Sequence, residues 1–398
     1  MAEGELKLRR FFRGDKYLWG LIVLFMVVSL LSVYSSSVAV AYSYHQGNTF
    51  YFLRTQFIML FLGLLIIVVT HWIPYINYMR YATLAMGVSI ALLTVTLVAG
   101  VNINSASRWL VIPVIGLSIQ PSDIAKVVLV IYLARGLTIY QNKLHDFKTV
   151  TVHLLLPVAA VCLLIMSENL STALMIFAIS MIILFVGRVP FKFLMAYAGM
   201  GLATVILFAA LLMIFKKGDN RVEVWKNRIE AYFSGESSPD ADFQANQAKI
   251  AISTGKLFGK LPGGSTQRNL LPQSNSDFIF AIIVEEYGLF GGTVLILCYL
   301  AMMFRGVQIA RKCDYAFAAL MVLGLTIMIV FQAFTNMLVA VGLFPVTGQT
   351  LPMISWGRTS VVMISFSLGA ILSVSRVMNA RQRREKLSDI EQSDKRVA

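Results

Sequence analysis

Apolar runs of about 20 residues recur along this chain, separated by short polar interruptions. Ten such runs stand out, at 17–42, 54–73, 80–100, 122–140, 151–167, 170–187, 193–215, 277–303, 315–341 and 358–378. Each predicts a helix able to cross a hydrocarbon core of ~30 Å. The first run holds Ala39-Val40-Ala41, which has the look of a cleavage site. It is too long for a signal segment and further spans follow, so it is expected to be retained. One interruption is long, residues 216–276. Its first part, "KKGDNRVEVWKNRIEAYFSGESSPDADF", is polar, with Trp225, Tyr232 and Phe233; its second, "QANQAKIAISTGKLFGKLPGGSTQRN", alternates short apolar groups with glycines. A partly helical flap skirting the membrane is expected there. The pattern predicts an all-α integral membrane protein: a basic N-terminus at 1–16, a ten-span domain at 17–378 and a basic tail at 379–398.

Composition agrees. Of 398 residues, 58% are hydrophobic and 14% charged, against about 25% charged in soluble domains. Mean hydropathy is +0.74. The net charge of +14 raises nucleic acid as a partner, but there is no basic face interleaved with aromatics on which bases would stack. The basic residues gather instead at the ends of spans. Five lie between Leu6 and Lys16 and four in "RQRREK" at 381–386. On the same side fall Arg80, Arg135, Lys143, Lys148, Arg188, Lys192, Arg305, Arg311 and Lys312; the opposite short connections carry Arg54, Arg108 and Arg358. Lys and Arg in short loops set orientation, so both termini are expected in the cytoplasm. The 216–276 connection holds nine basic residues, but loops of ~60 residues cross largely regardless of charge. Cys162, Cys298 and Cys313 are odd in number, beside or inside spans, and imply no disulfide framework.

Several motifs invite chemistry and carry little. "GKLFGK", Gly255 to Lys260, lacks the glycine spacing and the Ser/Thr of a phosphate loop. The four histidines have no metal-ligand spacing. Asp240 and Asp242, after Ser238-Pro239, read as the first turn of a helix, where acids complement the dipole. Three places are harder to dismiss. Asp123 and Lys126 are three apart in the fourth run, so they share a helix face. They form either a structural ion pair or the wall of a wet cavity. Arg108-Trp109, in the outer connection just before, is an interfacial anchor or a holder of a phosphate and a sugar ring. Asp277 opens the eighth run, after Ser274-Asn275-Ser276. It is a helix cap, or a carboxylate at headgroup level whose apolar surroundings raise its pKa toward that of a general base. Glu285 follows eight residues deeper, ~12 Å down the helix.

Taken together, "SASRW" (105–109), "IQPSDIAK" (119–126), "NLSTA" (169–173), "QAKIAISTGKLFGK" (247–260), "LPQSNSDFIFAIIVEEYGLFGG" (271–292) and "NMLVAVGLFPVTGQTLPMISWGRTS" (336–360) resemble the SEDS family (shape, elongation, division and sporulation), over nearly the whole chain. The resemblance implies a peptidoglycan glycosyltransferase that polymerises lipid II at the outer face of the bacterial cytoplasmic membrane. It implies a class B penicillin-binding protein as transpeptidase partner, alongside other division proteins. The family's essential aspartate falls on Asp277, its acid–lysine pair on Asp123 and Lys126 beside Gln120 and Ser122, and its Arg-Trp on Arg108 and Trp109. No organic cofactor is implied; a divalent cation, Mg or Mn, fits the leaving pyrophosphate. This chain departs from the family pattern at Asn275-Ser276, where His-Thr is usual, at Glu168-Asn169, and at Trp356-Gly357-Arg358, which adds a cation, Arg358, to the outer face. "FRGVQIARK" (304–312), "VYSSS" (33–37) and the basic tail look more like the division-type FtsW members than the elongation-type RodA members. A lipid II flippase or another transporter, and a non-enzymatic scaffold, are the competing classes. No inverted repeat of the transporter kind is seen in the sequence.

Overall fold

Helix starts and stops follow local chemistry. The computed structural model describes residues 13–38, 41–42, 48–99, 101–103, 106–112, 117–167, 169–215, 239–271 and 274–397. Asp15 opens α1 (Lys16–Ser36) by accepting the Leu18 N–H at 2.9 Å. Asn48 does the same for α2 (Thr49–Trp72), accepting from Tyr51 at 3.2 Å. Pro74 forces Ile73 into an extended conformation and separates α2 from α3 (Tyr75–Ala99). Pro121 sits at the first position of α4 (Pro121–Ile139), where its missing N–H costs nothing. Asp146 caps α5 (Phe147–Met166) and Asn169 caps α6 (Leu170–Val186). There follow α7 (Phe191–Phe215), α8 (Pro239–Gly255), α9 (Ile279–Arg311), α10 (Ala316–Ala340) and α11 (Arg358–Val397).

Each of the ten expected ranges holds a helix. Among the described residues eight helices, α1, α2, α3, α5, α7, α9, α10 and α11, are long and apolar enough to cross a membrane. The other two are α6, with 17 residues, and α4, which carries Asp123, Lys126 and Arg135. α11 continues to Val397, so the basic tail extends the last helix. The spanning windows of α10 and α11 are 72% buried against 11% for α7, which puts the first two at the centre and the last at the rim. α11 lies closely on α2 because small residues face each other. A Cβ on Gly369 would meet Ile67 O at 2.8 Å, and one on Gly63 would meet Ser365 Oγ at 2.6 Å.

Two features depart from a plain bundle. The connection after α3 is a small antiparallel sheet, β1 (Val101–Ile103), β2 (Ala106–Ile112) and β3 (Leu117–Ile119), with Val101 opposite Trp109 and Leu110 opposite Ile119. The described half of the long connection docks into the bundle. α8 packs on α9 and α10. The segment after it meets α9 where that helix breaks at Gly288 (φ 71°, ψ −174°). There Leu289 and Phe290 donate to the carbonyls of Lys256 and Leu257 at 2.8 and 3.1 Å, and the Lys260 N–H donates to Glu285 O at 3.0 Å. The freed backbone groups are thus satisfied by protein.

Candidate active site

The residues just before α9 are held one carbonyl at a time. Asn275 O accepts the Trp356 N–H at 2.8 Å, Ser276 O accepts Ser355 Oγ at 2.6 Å, and Asp277 O accepts Asn336 Nδ2 at 2.8 Å. Ser274 Oγ meanwhile donates to Ser36 O at the end of α1, at 3.0 Å. The N-cap of α9 is Phe278, with no side-chain cap bond, so Asp277 stands one residue outside the capping position. It is 9% exposed. Gly348, at φ +68°, lies behind it: a Cβ there would sit 3.7 Å from Asp277 Oδ2.

On α4, Lys126 Nζ lies 2.8 Å from Asp123 Oδ1 and donates to Gln332 Oε1 at 2.8 Å. Asp123 and Lys126 are both buried. A charged pair inside a helix bundle is satisfied here by one ionic and one neutral partner. Gln332 Nε2 donates to Thr350 O at 2.9 Å, and Asn336 Nδ2 donates to Gln349 O at 2.7 Å. The two carboxylate-bearing regions, around Asp123 and around Asp277, are therefore joined through one turn of α10 and the 349–350 backbone. At the same end Gln120 Nε2 donates to Ser122 Oγ at 3.0 Å, and the Gln120 N–H donates to Thr359 Oγ1 at 3.3 Å, next to Arg358, the first residue of α11. Of the residues singled out in the sequence, Gln120, Ser122, Asp123, Lys126, Arg358 and Asp277 thus belong to one connected region. Trp109 lies in β2, which packs against α3 and α4; the Arg108 side chain falls outside the described residues.

Glu285 is fully occupied by structure. Its Oε1 accepts Lys260 Nζ at 2.7 Å, the Thr266 N–H at 3.1 Å and Thr266 Oγ1 at 3.0 Å; its Oε2 accepts Ser265 Oγ and, at 3.3 Å, the Gln267 N–H. "GKLFGK" also has a structural explanation, because a Cβ on Gly255 or Gly259 would run into the backbone of Val284 or Glu286. Asp240 and Asp242 fall in the first turn of α8, as their sequence context predicts. Gln332 and Asn336 were not singled out in the sequence. The available signal is two amides four residues apart in an otherwise apolar helix.

The family model of the FtsW, RodA and SpoVE cell cycle proteins matches residues 15–380. The chain belongs to this family. Among its relatives is a probable peptidoglycan glycosyltransferase FtsW of Geobacter sulfurreducens, 30% identical over 368 residues, covering 90% of this chain and 95% of that one. Stage V sporulation protein E of Bacillus subtilis is 30% identical over 359 residues, covering 89% and 94%. The fold is that of solved FtsW/RodA/SpoVE members. It matches the rod shape determining protein RodA of Thermus thermophilus with a TM-score of 0.64 at 24% identity, over 92% of this chain and 98% of that one. It also matches a chain of a peptidoglycan synthase complex, described by its coordination of polymerization and crosslinking, with a TM-score of 0.69 at 23% identity and the same coverage. With its apolar helices, this membership makes the chain a multi-pass membrane protein.

Proposed function

We propose that this protein is a division-type peptidoglycan glycosyltransferase that polymerises lipid II at the outer face of the cytoplasmic membrane. The observation that carries the reading is the buried Asp277 carboxylate, outside the cap position of α9 and joined through α10 to the Asp123–Lys126 pair. The sugar of a lipid-linked donor is held just beyond the headgroups by its pyrophosphate, so its reaction partner must stand at the end of a span. In the reaction, the 4-hydroxyl of one lipid II attacks the anomeric carbon of the growing chain's lipid-linked sugar. The new C–O bond forms as the bond to pyrophosphate breaks, with inversion. Asp277 takes the hydroxyl proton, and the leaving oxygen keeps the electron pair. Lys126, Arg108 and Arg358 spread the developing negative charge, the electrostatic contribution that is usually the largest. Trp109, Gln120 and Ser122 complete the substrate-binding set.

A divalent cation, Mg2+ or Mn2+, enters with the substrate in this reading. No three His, Cys, Asp or Glu side chains stand together among the described residues, and magnesium is commonly held by one or two carboxylates plus substrate phosphates. The FtsW and SpoVE names of the relatives favour the division and sporulation branch. The partner is a class B penicillin-binding protein supplying the crosslink, in company with other division proteins, and both termini are cytoplasmic.

Asp277→Asn tests the base while keeping its shape. One positioned base contributes ~10²- to 10⁴-fold, so glycan polymerisation from purified lipid II should fall by about that factor, with lipid II binding and membrane abundance little changed. Glycan strands of wild-type length and yield from the Asn variant would remove the catalytic assignment. A flippase needs no base here and would keep transporting.

A further inference from the structure

The base and the cation of the proposed reaction sit on separate elements, Asp277 before α9 and Lys126 on α4. Two buried amides on α10 connect them. Gln332 is 0% exposed and Asn336 is 1% exposed. Each makes two contacts of the same kind: one to a reactive region and one to the segment that follows α10. Gln332 accepts from Lys126 at 2.8 Å and donates to Thr350 O at 2.9 Å. Asn336 donates to Asp277 O at 2.8 Å and to Gln349 O at 2.7 Å. Carbonyl oxygens only accept, so the Asn336 amide has one usable orientation.

Gln349 and Thr350 are adjacent, and Gln332 and Asn336 are one turn apart, a rise of ~6 Å along α10. The segment is also fixed from its outer side. Gln349 Nε2 donates to Thr172 Oγ1 at 2.7 Å, and Thr350 Oγ1 lies 3.0 Å from Ser360 Oγ. We propose that Gln332 and Asn336 are positioning residues that set the separation between the Asp277 base and the Lys126 cation through the 349–350 backbone. This rests on the reading of Asp277 as base and deepens it. In a single displacement the attacking hydroxyl and the leaving pyrophosphate lie on opposite sides of the anomeric carbon. The group that takes the proton and the group that receives the charge must then be held at a fixed spacing. Neither amide touches the substrate; each acts through a neighbour.

The test uses the full chain with its cognate transpeptidase and titrated lipid II. Gln332→Met removes the acceptor for Lys126 and the donor to Thr350. Asn336→Ser removes both carbonyl contacts of that amide. A misplacement of ~1 Å costs ~10²-fold, so each variant should lose about that much in kcat with KM unchanged. Because both act through one segment, the double variant should lose less than the product of the single losses. Wild-type kcat in either folded variant, a loss confined to KM, or simple multiplication of the two losses overturns the proposal. If neither accumulates in membranes, Thr172→Val decides. It is near-isosteric and loosens only Gln349, so a reduced kcat supports the proposal and a wild-type kcat overturns it. Asp277→Asn is assayed in parallel. If it is inactive while the amide variants are normal, the positioning role alone fails; if it polymerises normally, the base reading itself fails.

Discussion

An ammonium group 2% exposed inside a helix bundle needs partners, and Lys126 has Asp123 at 2.8 Å and Gln332 at 2.8 Å. Satisfaction of this kind fits both a structural pair and a catalytic one, so mutation has to separate them. Lys126→Ala should abolish polymerisation while the protein still accumulates in membranes. Replacing the pair together, Lys126→Met with Asp123→Leu, is the sharper experiment, because apolar replacement of a buried pair is often neutral for stability. The double variant should have wild-type thermal stability in detergent and no glycan product; polymerisation by it would reduce the pair to a structural clip. Charged residues were legible at this scale because a charge in an apolar run costs enough to demand a reason. Gln332 and Asn336 were not, since a neutral amide inside a span is cheaper and its partners come from elements more than ten residues away.

At the scale of elements, the sequence showed where helices run and missed how they are interrupted. Apolar run length dictates a spanning helix, and all ten ranges hold one. The break at Gly288 was hidden because the apolar run resumes after it, from "FIFAIIV" before "EEYG" to "LFGGTVLIL" beyond. What breaks the helix is the segment after α8, which exchanges three backbone bonds with α9 and surrounds Glu285 with donors. The β1–β3 sheet was equally hidden, its strands being three to seven residues long and flanked by polar positions. Gly288 has φ +71°, and a Cβ there would lie 2.2 Å from Leu257 O. A non-glycine residue in so sparsely populated a conformation costs ~1–3 kcal/mol before the steric contact is counted. Gly288→Ala should therefore lower the thermal midpoint in detergent and the amount of protein in membranes, more than Gly20→Ala, where a Cβ meets nothing within 4 Å. Equal midpoints for the two variants would mean that α9 closes its break without cost.

For the whole molecule, the orientation of the bundle decides whether Asp277 faces lipid-linked sugars outside the cell. Among the described residues eight helices are long and apolar enough to cross, and α4 and α6 bring the number to ten if they cross as well. Both counts are even, which leaves the termini on one side. Both also place an odd number of crossings, five or seven, before the connection at 216–276, which puts it on the other side. We propose, from the excess of Lys and Arg around the termini, that this shared side is the cytoplasm. A reporter fused at Ala398 should accordingly be cytoplasmic, and one inserted at Ser237 should be outside; the reverse would put Asp277 on the wrong face for lipid II polymerisation. These two positions do not separate eight crossings from ten, but Asn142 does. It lies in the exposed turn Gln141–Lys143 between α4 and α5. With α4 crossing, four spans precede it and it is cytoplasmic; without α4, three precede it and it is outside. Lys143 and Lys148 beside it favour the cytoplasm. Cysteine labelling of Asn142→Cys in a chain freed of Cys162, Cys298 and Cys313 should thus show protection from an impermeant reagent in intact cells and labelling after permeabilisation. Labelling in intact cells would mean that α4, with its buried Asp123–Lys126 pair, does not span.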